Sequence, residues 1–328
     1  MANIIRDDID FSAYMASTEA AHRVISAGAY VDEVIDYFHG DTAMRGVVTP
    51  WAKTHNLLRF REHEVTLWSG MNGHGKSLAL GQTCMGFIEQ GQKVCIASME
   101  MKPMVTLARI CRQWTKDRKP DVEIIRMFHE TTRTHLWLYD QQGTVNAERM
   151  LAVMRYCAQE KGIRHFVLDS LMKCVKGEDD YNGQKAFVDE LCAIAKDYSV
   201  HCHLIHHLKK PANENAMPDK HDNKGSGSIT DQPDNIWLIW RNKAKEEAAK
   251  QSGFNSKKRE EPDQLLMCRK QRNFDGSGEG EPTIKLWFNR DAGQFVADAG
   301  AGPMQFKSFP HRSGAPESSH KMHVVNRC

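Results

Sequence analysis

Residues 70 to 77 read Gly70-Met-Asn72-Gly73-His74-Gly75-Lys76-Ser77. The spacing is glycine, four residues, glycine, lysine, serine. A short apolar run, 65–68, precedes it, and a stretch with helical spacing, 77–90, follows it. Strand, glycine-rich turn and helix in that order make a phosphate-binding loop. The glycines let the backbone curl so that its N–H groups face an anion at the helix N-terminus. In this arrangement Lys76 reaches the terminal phosphates and Ser77 supplies a hydroxyl to Mg²⁺. Asn72, Gly73, His74, Gly75 and Leu78 complete the nucleotide-binding set with Gly70, Lys76 and Ser77. A plain glycine-rich turn does not account for a Lys-Ser pair opening the helix.

This pattern restricts the fold to an α/β core, and the rest of the chain agrees. Strands are expected at 65–68, 93–99, 135–139, 165–171, 200–208, 235–240, 265–269 and 284–288, with helices at 77–90, 103–117, 146–161 and 184–198. Alternation of the two implies a mostly parallel sheet covered on both faces. The later strands follow one another without long helices, so that edge is expected to be antiparallel. We divide the chain into a helical lead-in or linker at 1–60, a motor domain at 61–298 and a disordered tail at 299–328. Residues 29–38 have apolar positions at helical spacing. Two polar segments, 209–230 and 243–262, are expected as a mobile loop and an exposed excursion.

Composition excludes several classes. A net charge of +2 over 328 residues leaves any nucleic-acid contact to local patches. The nine cysteines are scattered and form no C-x-x-C pair, which speaks against a disulfide framework or a zinc knuckle and for a reducing compartment. No apolar run approaches the length of a membrane span, and no signal core follows the N-terminus. The expectation is a cytoplasmic chain with no membrane partner.

A phosphate loop requires a second acidic residue for the metal. Arg164-His-Phe-Val-Leu-Asp169-Ser170 provides an apolar strand ending in Asp169, suited to hold Mg²⁺. Ser170 follows it, not glutamate, so the base that activates water must come from elsewhere. Glu100, at the end of the strand after the first helix, lies beside the phosphate loop in a parallel sheet and is the candidate general base. Its alternative role is an acid at the helix start before Pro103. The strand His201-Cys-His-Leu-Ile-His-His207 alternates His201, His203, Ile205 and His207 on one face. Its four histidines and cysteine raise a zinc reading, but the strand splits them over two faces. The preferred reading puts His207 at the γ-phosphate and His201 and His203 in packing.

Taken in order, the loop at 70–77, Ser-Met-Glu100-Met, Val-Leu-Asp169-Ser, His207-Leu-Lys209-Lys210-Pro, Lys224-Gly225-Ser226-Gly227-Ser-Ile, Trp240-Arg241-Asn242 and Arg269-Lys270-Gln271-Arg272-Asn273 resemble one family. The set looks like the RecA-like motor domain of DnaB-type replicative helicases, especially those of phage primase–helicases and Twinkle. The resemblance covers about residues 60 to 298. It implies a homohexameric ring with ATP between subunits, moving on single-stranded DNA and unwinding duplex at the replication fork. Arg272 looks like an arginine finger inserted into the neighbouring site, with Lys270 as its companion. Arg241 and Phe288 resemble residues that pack on the adenine. Lys209, Lys210, Lys224, Gly225, Ser226 and Gly227 fall where the family lines its channel, which suits lysines and backbone N–H groups that hold phosphates without reading bases.

The chain departs from the family in four places. Lys224 stands where arginine is usual and lacks the guanidinium fork. Asp231 stands where glutamine is usual, with Gln232 one residue later. The tail has no acidic cluster to dock a polymerase. The N-terminal region has no room for a primase domain, so a separate primase and DNA polymerase are expected partners. The competing readings are a RecA-class recombinase or loader that binds DNA without unwinding it, and a regulatory ATPase with protein partners.

Overall fold

The computed structural model describes residues 3–6, 10–15, 27–40, 46–209, 217–225, 227–250, 256–273 and 281–307. In chain order the elements are β1 (Asn3–Arg6), α1 (Val31–His39), β2 (Val65–Gly70), α2 (Lys76–Glu89), β3 (Val94–Ser98), α3 (Pro103–Thr115), α4 (Val122–Thr132), β4 (Leu136–Asp140), α5 (Ala147–Glu160), β5 (His165–Asp169), α6 (Tyr181–Asp197), β6 (His201–His207), α7 (Ser228–Asp231), β7 (Asn235–Arg241), α8 (Lys243–Ala248), α9 (Ser256–Glu260), β8 (Gln264–Gln271), β9 (Thr283–Asn289) and β10 (Gln294–Val296).

The strands form one sheet in the order β1-β4-β3-β5-β6-β2-β7-β8-β9-β10. From β1 to β7 every pairing is parallel. From β7 to β10 every pairing is antiparallel. This is the mixed α/β architecture of RecA-like domains, with helices on both faces. Strand alternation divides the apolar side chains between two layers. Val65, Leu67, Cys95 and Ala97 face the layer that includes residues of α5 and α6. Trp68, Val94 and Ile96 face the other, with residues of α2 and α3. The central strands are buried on both faces, as in parallel sheets generally, although β6 fills four of its positions with histidine.

Helix ends follow local chemistry. The Asn146 side chain accepts from the Glu148 N–H at 2.7 Å to start α5. The Asp180 carboxylate accepts from Gly183 N–H to start α6. Pro103 opens α3, where its missing N–H costs nothing.

His201 and His203 of β6, with His165 of β5, are packing groups on the α2 side. His165 and His203 stack with the Phe87 ring at centroid distances of 4.4 and 5.3 Å. His165 Nδ1 and His203 Nε2 share a hydrogen bond at 3.1 Å, and Trp68 Nε1 donates to His203 Nδ1 at 3.2 Å. Burial holds His165 and His203 well below the usual imidazole range and His201 down at about 4, so all three are neutral.

The structure departs from the sequence expectation at both ends and in the polar segments. Residues 1–60 are not only a helical lead-in, because β1 extends the sheet beside β4 and Trp51, Leu58 and Phe60 are core residues. The stretch 299–307 is not a loose tail. Phe306 is buried, and the Met304 N–H donates to Gln294 Oε1 at 2.7 Å. The remainder, 308–328, lies outside the described residues. Part of the segment expected as a mobile loop is anchored: Leu208 pairs with Asn223, and Lys209 N–H donates to Asp222 O at 2.7 Å. The excursion at 243–262 includes α8 and α9, with Lys245 buried against Glu261 O and Asp263. The sequence reading also missed α4 and the three-residue β10.

Candidate functional site

The phosphate loop spans the turn from β2 to α2. Gly73 and Gly75 take φ of +75° and +82°, a region that side chains with a Cβ disfavour. Gly75 also lies against Gln264, whose amide nitrogen would stand 3.0 Å from an added Cβ. The left-handed Gly75 turns the backbone into α2, leaving the first helical N–H groups without helical partners.

Lys76 is buried, and its ammonium is held by its own loop. Nζ donates to Gly70 O at 2.7 Å and to Met71 O at 3.1 Å, and lies 3.2 Å from His207 Nδ1. Burial lowers its pKa to about 8, against the opposing pull of Asp169 and Glu100. Ser77 Oγ donates to Asp169 Oδ2 at 2.7 Å, across the intervening strand β6. Burial pushes the Asp169 carboxyl up, and the Ser77 hydrogen bond pulls it back. A hydroxyl and a buried carboxylate at this separation are a donor set for a hard divalent cation, whose charge would offset the desolvation of Asp169.

Strand register then delivers Glu100. Ser98 pairs with Asp169, so Glu100, two residues on, comes level with the residues just past Asp169. Ser170 Oγ donates to Glu100 Oε1 at 3.2 Å, and His207 Nε2 lies 3.3 Å from the same oxygen. The His207 contact is the main influence holding the Glu100 carboxyl below its ordinary range, and burial opposes it. Glu100 is therefore an ionised carboxylate at the cavity wall, able to accept a proton from water.

One cavity of about 550 Å³ collects Asn72, Gly73, Gly75, Lys76, Ser77, Leu78, Glu100, Asp169, His207, Arg241 and Phe288. Its size suits a nucleotide. Arg241 donates from NH1 to Gly73 O at 2.9 Å and from Nε to Glu246 Oε1 at 2.6 Å, which places its guanidinium against the loop. Phe288, on β9, faces the same space and packs on Phe295 at 5.1 Å. Gly70 and His74 shape the loop from behind: Gly70 ends β2, and the His74 ring accepts from Arg241 N–H at 3.1 Å. Sequence reasoning missed Arg109 and Arg112, two arginines of α3 that line the cavity. Their signal is faint, because only the pitch of α3 after Glu100 turns them toward the loop. The backbone carbonyls of Arg290 and Asp291 hold Arg112.

Lys270 and Arg272 do not join this cavity. Lys270 Nζ donates to Thr230 O at 3.1 Å and to Asp231 O at 2.5 Å. Arg272 NH1 lies 3.1 Å from Asp234 Oδ1. Register pairs Arg241 with Gln264 and Asn235 with Gln271. Arg272 therefore sits at the opposite end of β7 from the nucleotide cavity, about 20 Å away at ~3.3 Å per residue.

The basic loop is tied to the end of β6. Lys224 N–H donates to His207 O at 3.2 Å, and Lys224 O accepts from His206 Nε2 at 2.7 Å. The Lys224 ammonium lies 2.6 Å from Glu178 Oε1. Gly225 takes φ of +84°, and an added Cβ would meet Gln184 Oε1 at 2.2 Å. Lys209 and Gly227 are exposed. Lys210 and Ser226 lie outside the described residues.

Among the described residues, no group of three or more His, Cys, Asp or Glu could hold a metal ion. No helix among them is long and apolar enough to cross a membrane.

A family model, the DnaB-like helicase C terminal domain, matches residues 46–297. Among solved structures, the ATPase domain of G40P superposes with a TM-score of 0.69 at 16% identity, covering 83% of this chain and 98% of its own. A DnaB-like replicative helicase, from a structure describing its interactions with primase, gives 0.67 at 17% identity, covering 83% of this chain and 68% of its own. At these identities the structures establish the fold. No curated protein matches. The family match spans more than half of the chain and contains the phosphate loop, Glu100, Asp169, His207 and the late basic strand. The chain belongs to the DnaB-like helicase C-terminal domain family, and it is an ATP-hydrolysing DNA helicase.

Proposed function

We propose that the chain is the motor of a hexameric replicative helicase that moves along single-stranded DNA and separates the strands at a replication fork. The observation that carries this reading is the division of the catalytic set. Loop, cation ligands and base share one cavity, while Lys270 and Arg272 lie at the other end of the same sheet. Arg272 can complete a nucleotide site only on a neighbouring copy. Such a residue supplies roughly 10³–10⁵ in rate by stabilising charge on the transferred phosphoryl group.

In this reading the loop N–H groups and Lys76 bind the phosphates. Ser77 and Asp169 hold Mg²⁺, which screens the phosphate charge when bound. Glu100 takes a proton from the attacking water, with Ser170 and His207 fixing its orientation. Arg241 and Phe288 flank the base. His207 is bonded on one side to Glu100 and through its backbone to Lys224, so nucleotide state and the position of the basic loop share one short path. Lys209, Lys210 and the 224–227 turn are the DNA contacts.

Ring formation has a surface to use. The apolar face of α1 exposes Val31, Val34, Ile35 and Phe38, and Met104 of α3 and Val122 and Met127 of α4 are exposed as well. We infer that the α1 face docks on a neighbouring copy and closes the ring. The site of action is the cytoplasm, a host's if the chain is phage-encoded. Priming and synthesis fall to a separate primase and polymerase.

The test is unwinding of a forked duplex with ATP and Mg²⁺ beside DNA-stimulated ATPase, with Lys76→Ala as control. Strand separation that needs Lys76 supports the proposal. ATPase stimulated by single strands without separation on any fork moves the assignment to a recombinase or loader.

A further inference from the structure

Asp234 makes an unusual number of bonds for one residue. Its N–H donates to Val65 O at 2.9 Å, and its carbonyl accepts from Arg272 N–H at 2.9 Å. Its side chain repeats both links: Oδ2 accepts from Val65 N–H at 2.9 Å, and Oδ1 accepts from Arg272 NH1 at 3.1 Å. The carboxylate is almost fully buried, whereas the Arg272 side chain is half exposed. A second clamp lies beside the first. Glu64 Oε1 accepts from Asn273 Nδ2 at 2.8 Å, and Oε2 accepts from Asn235 Nδ2 at 3.0 Å. Residues 64–65 thus hold 234–235 and 272–273 together through two adjacent carboxylates.

Val65 is the first residue of β2, and Gly70, its last, opens the phosphate loop. One extended strand joins the clamp to the subunit's own nucleotide site, about 17 Å away at ~3.3 Å per residue. From this geometry we propose that Asp234 is the positioning residue for Arg272, fixing the guanidinium to the head of the subunit's own phosphate-loop strand so that it meets the neighbour's γ-phosphate in register. The inference rests on the reading of Arg272 as a residue that acts in a neighbouring site.

Carboxylate chemistry is what the position needs. An ionised carboxylate accepts at both oxygens, so it can hold Val65 N–H and Arg272 at once. Asparagine has one acceptor and one NH₂, so Asp234→Asn must give up one of the two bonds while keeping nearly the same volume. Without its bond to Asp234, Arg272 keeps the longer contacts from NH2 to Asp231 O and Gln232 O at 3.3 and 3.4 Å, so the guanidinium is held less firmly and hydrolysis at the neighbour falls. The subunit's own nucleotide cavity is untouched, since none of its lining residues bonds to Asp234.

The experiment measures DNA-stimulated ATPase of the assembled full chain for Asp234→Asn and Arg272→Ala, each alone and each mixed with Lys76→Ala subunits. We expect Asp234→Asn to lower kcat about 10- to 100-fold while KM for ATP moves by less than about threefold. In mixtures, Lys76→Ala subunits carry an intact Asp234 and Arg272, so they should restore turnover at the intact phosphate loops of Asp234→Asn neighbours. The double variant Asp234→Asn with Arg272→Ala should be no slower than Arg272→Ala alone, because both changes remove one function. That non-additivity separates positioning from partial unfolding, which would slow the Arg272→Ala background too. Rescue of Arg272→Ala but not of Asp234→Asn overturns the positioning role alone. Failure of both rescues overturns it together with the reading of Arg272 itself. An unchanged kcat for Asp234→Asn also overturns it.

Discussion

His207 Nε2 lies 3.3 Å from Glu100 Oε1, and the other ring nitrogen lies 3.2 Å from Lys76 Nζ. One imidazole therefore bridges the general-base candidate and the phosphate-binding lysine. Whatever the ring does on nucleotide binding, it does to both partners at once.

Glu100→Gln should keep nucleotide binding and lose hydrolysis. The amide preserves the hydrogen bond from Ser170 but cannot take a proton. The expected fall in kcat is roughly 10²–10⁴ with little change in KM. Steady-state ATPase beside binding of a non-hydrolysable analogue checks it, and a fall of less than about threefold would remove Glu100 from the chemistry.

Lys76 makes nucleotide binding depend on pH in a defined direction. Burial depresses its pKa to about 8, so the free protein loses the ammonium charge as pH rises through that value. Phosphate binds the charged form and pulls the pKa back up. ATP affinity should therefore be greatest well below about pH 8 and weaken above it, with proton uptake on binding at the higher pH. Calorimetry in buffers of different ionisation enthalpy reads that uptake directly. Absence of uptake at about pH 9 would mean that Lys76 stays charged in the free site.

Much of this site was legible because it depends on local order. Strand, loop and helix around Lys76 follow from spacing alone, and register in a parallel sheet carries Glu100 to Asp169 without any further information. What could not be read lies in side chains that meet from distant segments. Asp234 and Arg272 are separated by 38 residues, and Lys224 and Glu178 by 46. No periodicity announces either pair. β1 and β10 were missed because runs of four and three residues are too short for strand alternation to register. In α4, the run Val-Glu-Ile-Ile-Arg mixes β-branched and charged residues, which weakens its helical signal.

Gly225→Ala should uncouple DNA from hydrolysis. At φ of +84° a side chain costs about 1–3 kcal/mol from backbone strain alone, and its Cβ would overlap Gln184 Oε1 at 2.2 Å. Gln184 cannot yield cheaply, since its amide donates to Gly177 O and Glu178 O at 2.9 Å. The turn after Lys224 must then shift. Basal ATPase should survive while stimulation by single strands drops about tenfold or more. Equal stimulation of both proteins would place the turn away from DNA.

Lys224 and Glu178 predict opposite signs from neighbouring changes. The ammonium lies 2.6 Å from the carboxylate, so DNA phosphate must compete with Glu178 for the same cation. Removing the cation, in Lys224→Ala, should weaken single-strand binding and reduce the slope of log K against log salt by about 0.7 for each phosphate no longer neutralised. Lys209→Ala, at the exposed start of the same loop, should lower the slope again. Glu178→Gln should instead tighten binding several-fold at low salt, because Lys224 is released while its charge remains. Coulombic competition of this kind fades as salt rises, so the gain should shrink toward high ionic strength. Fluorescence anisotropy of a labelled oligonucleotide over a salt series separates the cases. An unchanged slope in Lys224→Ala with unchanged affinity in Glu178→Gln would take this ion pair off the DNA path.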